Sequence, residues 1–191
     1  MYHKRNKLLV LSLYLGDYTR RFYLREISRL TKIPLKTTQN IISSLESDNI
    51  LISIKEGKNK YFKLNLSNIE AKFYLLQAEI YKTMLFINKY STFKSFLKDV
   101  KVNVPIIVFG SFANFAANKD SDVDLLVISN EQQKLPLHLI PYKVHEIMLS
   151  KQVFFKSVKT QEVLIKEIEE KHVILNNHSF FVNAMWCGYG K

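Results

Sequence analysis

The sequence predicts an α+β chain in three stretches. Residues 1–66 read as three helices and a β-hairpin, residues 67–98 as a helical connector, and residues 99–191 as a small mixed-sheet domain with flanking helices. Three observations carry this. Helical apolar spacing recurs through the first 48 residues and gives way to two β-rich runs around a polar, Gly-containing turn. A capping signal at Ser67 opens a long stretch of helical periodicity. Beyond residue 104, apolar runs of strand length are interrupted by polar turns.

A chain of 191 residues fits one or two domains, and a hydrophobic fraction of 47% is ample for packed cores. The single cysteine, Cys187, excludes an internal disulfide framework and fits a reducing cytoplasm. Lys4, Arg5 and Lys7 before Leu8 to Leu15 imitate a secretion signal, but Asp17, Arg20 and Arg21 follow instead of a small-residue cleavage site. That apolar run is also far short of the roughly 20 residues that span a bilayer. No membrane association is expected. The net charge of +11 is unevenly placed. Residues 1–66 hold 13 Lys/Arg against 5 Asp/Glu, a net of +8, and the remainder holds 15 against 12, a net of +3. The basic excess points to an anionic partner for the first third, nucleic acid foremost. A merely solvated basic face is the alternative.

Leu8, Leu9, Leu11, Leu13 and Leu15 mark a first helix, stopped near Gly16-Asp17. Leu24, Ile27 and Leu30 mark a second. Thr31 to Pro34 makes a turn, with Pro34 near the start of a third helix that runs to about Asp48. Thr38, Ile41, Ile42 and Leu45 share its inward side, while Lys36, Thr37, Gln39, Asn40 and Ser43 lie on the other. Ile50 to Lys55 and Tyr61 to Leu64 then flank a turn at Glu56 to Lys60. This order resembles a winged helix-turn-helix domain. The resemblance implies DNA binding, with the polar face of the third helix in the major groove. There Lys36, Thr37, Gln39 and Asn40 are the candidate contacts, and Lys58 and Lys60 on the wing are candidates for phosphate. Winged helices also serve as protein-docking modules, which is the competing expectation.

Ser67 and Glu70 have capping-box spacing, so a helix is expected from about Asn68 to Lys89. Phe73, Leu76, Ile80, Met84 and Ile87 form its apolar stripe, expected to face the core or a homodimer seam. Ser91 to Leu97 reads as another helix.

Residues 104–129 carry the chemistry. Ile106 to Phe109 is a short buried strand, and Gly110-Ser111 ends it. With only five glycines in the chain, Gly110 stands out; a Gly-Ser turn lets backbone N–H groups and a hydroxyl approach a phosphate closely. Ser121-Asp122-Val123-Asp124 then leads into Leu125 to Ile128. Side chains alternate along a strand, so Asp122 and Asp124 fall on one side. Two adjacent carboxylates repel, and a divalent cation relieves the repulsion. Mg²⁺ prefers one or two carboxylates completed by substrate phosphates.

Gly110-Ser111 followed by Asp122-x-Asp124 resembles the signature of the polymerase-β-type nucleotidyltransferases. The minimal members of that superfamily, with their GSxARG and SDxDLL motifs, are the nearest likeness. Gly110, Ser111, Ala113, Ser121, Asp122, Asp124, Leu125 and Leu126 all fall in place. The resemblance implies transfer of a nucleoside monophosphate from a nucleoside triphosphate, ATP foremost, to a hydroxyl acceptor, with Mg²⁺ as cofactor. Gly110 and Ser111 would hold the nucleotide, and Asp122 and Asp124 would hold the metal and carry catalysis. Some minimal members act as antitoxins that modify a HEPN-type ribonuclease toxin, so a protein acceptor is within the expectation. Two positions depart from the motif. Asn114 stands where Arg is usual, which implies weaker triphosphate binding, and Phe115 stands where Gly is usual, which implies altered helix packing or a partly filled pocket. The family also uses a third carboxylate on a neighbouring strand. Tyr142 to Leu149 is the strand expected here, and Glu146 is its only acid. His145 falls on the opposite face from Glu146 and is expected to be structural.

In the remainder, Thr160 to Lys171 reads as a helix, Asn176-Asn177 as a turn and His178 to Trp186 as a last helix. His172 and His178 lack Cys partners at metal-site spacing and are expected on the surface. The functional expectation is therefore a nucleotidyltransferase behind a DNA-binding domain. The competing one is a DNA-binding transcription regulator whose second domain is inactive and senses nucleotide or dimerises.

Overall fold

The computed structural model describes residues 2–189, with side chains from Lys4 onward. The described residues divide into two compact units, one running to Ala78 and including Tyr189, the other comprising Glu79–Gly188.

In the first unit, α1 (Tyr2–Leu11) continues into a 3-10 turn at Ser12–Tyr14. Then come β1 (Arg21–Tyr23), α2 (Leu24–Thr31), α3 (Leu35–Ser47), β2 (Leu51–Glu56) and β3 (Asn59–Leu64). The buried positions of α3 are Thr38, Ile41, Ile42 and Leu45, the set its periodicity predicts. Lys32 ends α2 in a left-handed conformation, φ 57°. The hairpin pairs Leu51 with Leu64 through Glu56 with Asn59. β1 escapes the sequence reading; it adds to β3 through Phe22–Phe62 and gives an antiparallel sheet of order β1-β3-β2. The buried Tyr14 hydroxyl donates to the Phe62 carbonyl at 3.1 Å, tying the 3-10 turn to that sheet.

α4 (Ile69–Lys89) has the expected length but not the expected cap or face. Asn68 takes the capping role in place of Ser67, its Oδ1 accepting from the Glu70 N–H at 3.0 Å. Phe73, Ile80 and Met84 are exposed, while Ala71, Leu75, Ala78, Glu79, Thr83 and Phe86 are buried. The helix carries large apolar residues on two sides, so periodicity alone picks the wrong one.

The second unit holds α5 (Phe93–Asp99), β4 (Ile106–Phe109), α6 (Gly110–Ala113), β5 (Val123–Ile128) and β6 (Val144–Leu149). It closes with α7 (Lys151–Thr160), α8 (Val163–Glu170), β7 (His172–Asn176) and α9 (His178–Tyr189). The sheet order is β6-β5-β4-β7, with β5 and β6 parallel and the other pairs antiparallel. On one face Ile106, Val108, Val123, Leu125 and Val127 pack with Phe86, Phe93, Phe96 and Phe112. The mixed sheet with helices fits the predicted α+β class.

Two elements correct the reading of the C-terminal part. α7 was not expected, and the helix expected from Thr160 to Lys171 starts only at Val163, after Gln161 has turned left-handed at φ 55°. His172 is fully buried rather than on the surface. Its Nδ1 lies 2.9 Å from the Ile168 carbonyl and 3.0 Å from that of Glu169, and therefore carries hydrogen. Its Nε2 meets the equally buried Glu79 carboxylate at 2.8 Å. The polar cluster continues at Thr83, which donates to the Ile174 carbonyl at 2.6 Å and lies 2.9 Å from Nε2 of the half-buried His178.

Candidate functional site

β4 is buried along its whole length, and the chain turns sharply at its end. Gly110 adopts φ 68°, a left-handed conformation that glycine takes without strain. A Cβ at this position would lie 2.4 Å from Oδ2 of Asp124. The missing side chain thus opens the space in which the Asp124 carboxylate sits. Ser111 follows, exposed at the turn.

Asp124 is opposite Phe109 on one side and beside His145 on the other, so it occupies the middle of three strands. Asp122 sits just before β5, two residues away on the same side. The approach is shaped by a small hydrogen-bonded loop. Ser121 Oγ donates to Asn118 Oδ1 at 3.1 Å and accepts from the Asn118 N–H at 2.9 Å. Val123 N–H donates to the Lys143 carbonyl at 2.8 Å and sets the start of the parallel pairing.

Two basic side chains border the carboxylates: Lys143 meets Asp122 alone, and His145 meets both. Lys143 Nζ lies 3.3 Å from Asp122 Oδ2. The His145 ring spans the pair, with Nε2 3.4 Å from Asp122 Oδ2 and Nδ1 3.7 Å from Asp124 Oδ1. Burial pushes the Asp124 carboxyl above its ordinary range, the charge of His145 pulls it back, and the charge of Asp122 adds to the upward push.

Gly110, Ser111, Asp122 and Asp124 are therefore brought to one place, as the spacing anticipates. Glu146 is not. It is in register with Leu125, on the face turned away from the carboxylates, and is exposed. His145 holds the position beside Asp124 that was expected for an acid. The sequence contains the signal for this, since 145 and 146 have opposite parity, but only the strand register decides which of them meets Asp124.

The two departures from the resembled motif also find their places. Asn114 is exposed at the end of α6. Phe115 takes φ 57° where the motif has Gly, which costs about 1–2 kcal/mol of backbone strain for an L residue. Its ring packs on the domain core, 6.3 Å from Phe86 and 6.4 Å from Tyr90, and its carbonyl accepts from Lys89 Nζ.

In the first unit, Gln39, Lys58 and Lys60 line a cleft of about 460 Å³ together with Arg25, Ser43, Glu46 and Asn59. Asn40 lies on a neighbouring surface beside Lys4, Lys7 and Ser44. Lys36 is exposed and Thr37 half-buried. Lys60 is already engaged, 3.0 Å and 3.1 Å from the two carboxylate oxygens of Glu46. The sequence reading missed Arg25, which lies on α2 but opens onto the same cleft.

A cation is the natural complement of the carboxylate pair. Among the described residues no three His, Cys, Asp or Glu side chains form a ready-made metal-binding group. An ion here would be held by two carboxylates and completed from outside, as Mg²⁺ commonly is by substrate phosphates. No described helix is long and apolar enough to cross a membrane. No curated protein and no solved structure matches the chain at a significant level. Residues 90–181, the stretch bearing the Gly110-Ser111 turn, Asp122, Asp124 and His145, match the family model of the nucleotidyltransferase domain.

Proposed function

We propose that the protein transfers a nucleoside monophosphate from a nucleoside triphosphate to a hydroxyl acceptor with the help of a divalent cation. On the carboxylate chemistry alone we take that cation to be Mg²⁺, and ATP is the nucleotide we favour from the family resemblance. The observation that carries this reading is the Asp124 carboxylate lodged against Gly110, with Asp122 on the same side of β5. In this reading Asp122 and Asp124 hold the cation, while the backbone at Gly110 and the Ser111 hydroxyl receive phosphate oxygens. The cation, when bound, neutralises charge on the transferring phosphoryl group. The protein's own part is positioning: β4 and β5 are buried, paired strands that place Asp124 and, just before β5, Asp122 ahead of substrate. A protein hydroxyl, such as a toxin side chain in an antitoxin-like system, is the acceptor class we favour.

The first unit supports a winged-helix reading and DNA as its partner. Three helices precede a hairpin, and Arg25, Gln39, Lys58 and Lys60 meet in one cleft between them. A second reading, nucleotide sensing without turnover inside a transcription regulator, is favoured by one observation: an imidazole, not a carboxylate, stands beside Asp124.

Calorimetric titration of the full chain with a non-hydrolysable triphosphate analogue, with and without Mg²⁺, tests the site. Binding should require the cation and disappear in Asp122→Asn and Asp124→Asn. Ser111→Ala should weaken it by about 1 kcal/mol or more, the scale of a hydrogen bond to a charged group. Metal-independent binding, or unchanged affinity in both Asn variants, would sink the assignment.

A further inference from the structure

We propose that His145 supplies a nitrogen donor to the cation held by Asp122 and Asp124, and that the site therefore selects Mn²⁺ over Mg²⁺. The inference rests on the preceding reading that this carboxylate pair binds a divalent cation.

The argument starts from register. β6 runs parallel to β5 and pairs His145 with Asp124. Strand neighbours in register present their side chains on the same face. Whatever stands at residue 145 is therefore the third group of the site by topology, whichever side chain it is. The distances agree, since the ring nitrogens lie 3.4 Å and 3.7 Å from oxygens of Asp122 and Asp124. These separations are slightly wider than the roughly 3 Å between adjacent ligands on an ion with bonds near 2.1 Å. The two nitrogens now face different carboxylates, so the three groups are not a closed cage. The ring is half exposed, at 52% for its side chain, and coordination requires it to turn so that one nitrogen meets an ion between the oxygens.

The consequence is chemical. Carboxylate and water oxygens suit Mg²⁺, whereas imidazole is a good ligand for later divalent ions and a poor one for Mg²⁺. Replacing a third carboxylate by imidazole also removes one negative charge, which weakens the purely electrostatic attraction on which Mg²⁺ depends. Mn²⁺ accepts both oxygen and nitrogen and keeps the octahedral habit that phosphate chemistry needs. Lys143 Nζ, 3.3 Å from Asp122, is the competing cation in the metal-free protein and is exposed enough to withdraw.

The test uses Mn²⁺ alone and the full chain. Electron paramagnetic resonance of free Mn²⁺ gives the affinity, and spin-echo modulation of the bound ion detects directly coordinated ¹⁴N. Wild type should show imidazole nitrogen modulation, and His145→Ala should lose it together with roughly tenfold or more of the Mn²⁺ affinity. His145→Asp should bind Mn²⁺ without nitrogen modulation and should move the Mn²⁺/Mg²⁺ preference toward Mg²⁺. Mn²⁺ binding that needs Asp122 and Asp124 but shows no nitrogen modulation overturns this inference and leaves the carboxylate site standing. Mn²⁺ binding that survives in Asp122→Asn and Asp124→Asn, or no binding at all, overturns both.

Discussion

Gly110→Ala is the sharpest perturbation the site offers. The added Cβ would lie 2.4 Å from Asp124 Oδ2, and ordinary contact begins near 3.4 Å, so the carboxylate has to move by about 1 Å. The backbone adds its own penalty, since φ 68° costs an L residue about 1–2 kcal/mol. Gly57 is an internal control: it has φ 59°, and a Cβ there meets nothing within 4 Å. Gly57→Ala should show the backbone term alone, about 1–2 kcal/mol. Gly110→Ala should exceed it by a smaller amount, because the atom met is the end of a partly exposed carboxylate rather than backbone or packed core. The larger effect should be on nucleotide binding with the cation, because the displaced carboxylate is one of the two proposed cation ligands. Urea denaturation gives the first quantity, and calorimetric titration with a triphosphate analogue and a divalent cation gives the second. Equal destabilisation by the two alanines together with unchanged nucleotide binding by Gly110→Ala would refute the reasoning that Gly110 makes room for Asp124.

Other outcomes follow from the same geometry. Burial and Asp122 push the Asp124 carboxyl upward, so the folded metal-free chain holds that proton more tightly than the unfolded chain does. Keeping Asp124 ionised therefore destabilises the fold above the ordinary carboxylate range. Asp124→Asn should raise the metal-free melting temperature at pH 7.5, with the gain shrinking as pH falls through that range; a lower melting temperature at every pH would contradict this. His178 has the opposite sense: burial lowers its affinity for a proton, the charge of Glu79 opposes that, and nearby His172 reinforces it. The unfolded chain then binds the extra proton, so stability should fall as pH drops below about 6.5, and His178→Gln should flatten that slope. An unchanged slope in thermal melts would show that other groups set it. In DNA titrations over a range of salt, Lys58→Ala should lower the salt slope by about one. Lys60→Ala should lower it by less, because Glu46 already neutralises that lysine. Glu46→Gln should strengthen binding, and no salt-sensitive binding by any variant would leave the basic excess a solvated face.

How much of this was legible beforehand varies with the distance of the interactions involved. The inward residues of α3 follow from local periodicity and agree residue by residue. Asp122 and Asp124 share a side because period two leaves no other option, and Gly110 is conspicuous in a chain with few glycines. β1 is three residues long, too short to establish a period. The face of α4 was misjudged because Leu75, Ala78 and Phe86 compete with Phe73, Ile80 and Met84 on the same helix. Glu79, a charged residue on the buried side, is there because His172 receives it, and that partner lies 93 residues away. His145 and Glu146 were exchanged for a similar reason. A strand's own sequence shows which residues alternate but not which of them meets Asp124 on the neighbouring strand.

The central claim is nucleotidyl transfer at the Asp122 and Asp124 site, and the most direct test labels the two ends of the triphosphate separately. The purified protein is incubated with a divalent cation, candidate acceptor protein, and ATP carrying radiolabel at either the α- or the γ-phosphate. The account predicts that α-label becomes covalently attached to an acceptor, that γ-label leaves as pyrophosphate, and that Asp122→Asn and Asp124→Asn abolish both. Transfer of the γ-label, or α-label transfer undiminished in both variants, would contradict it.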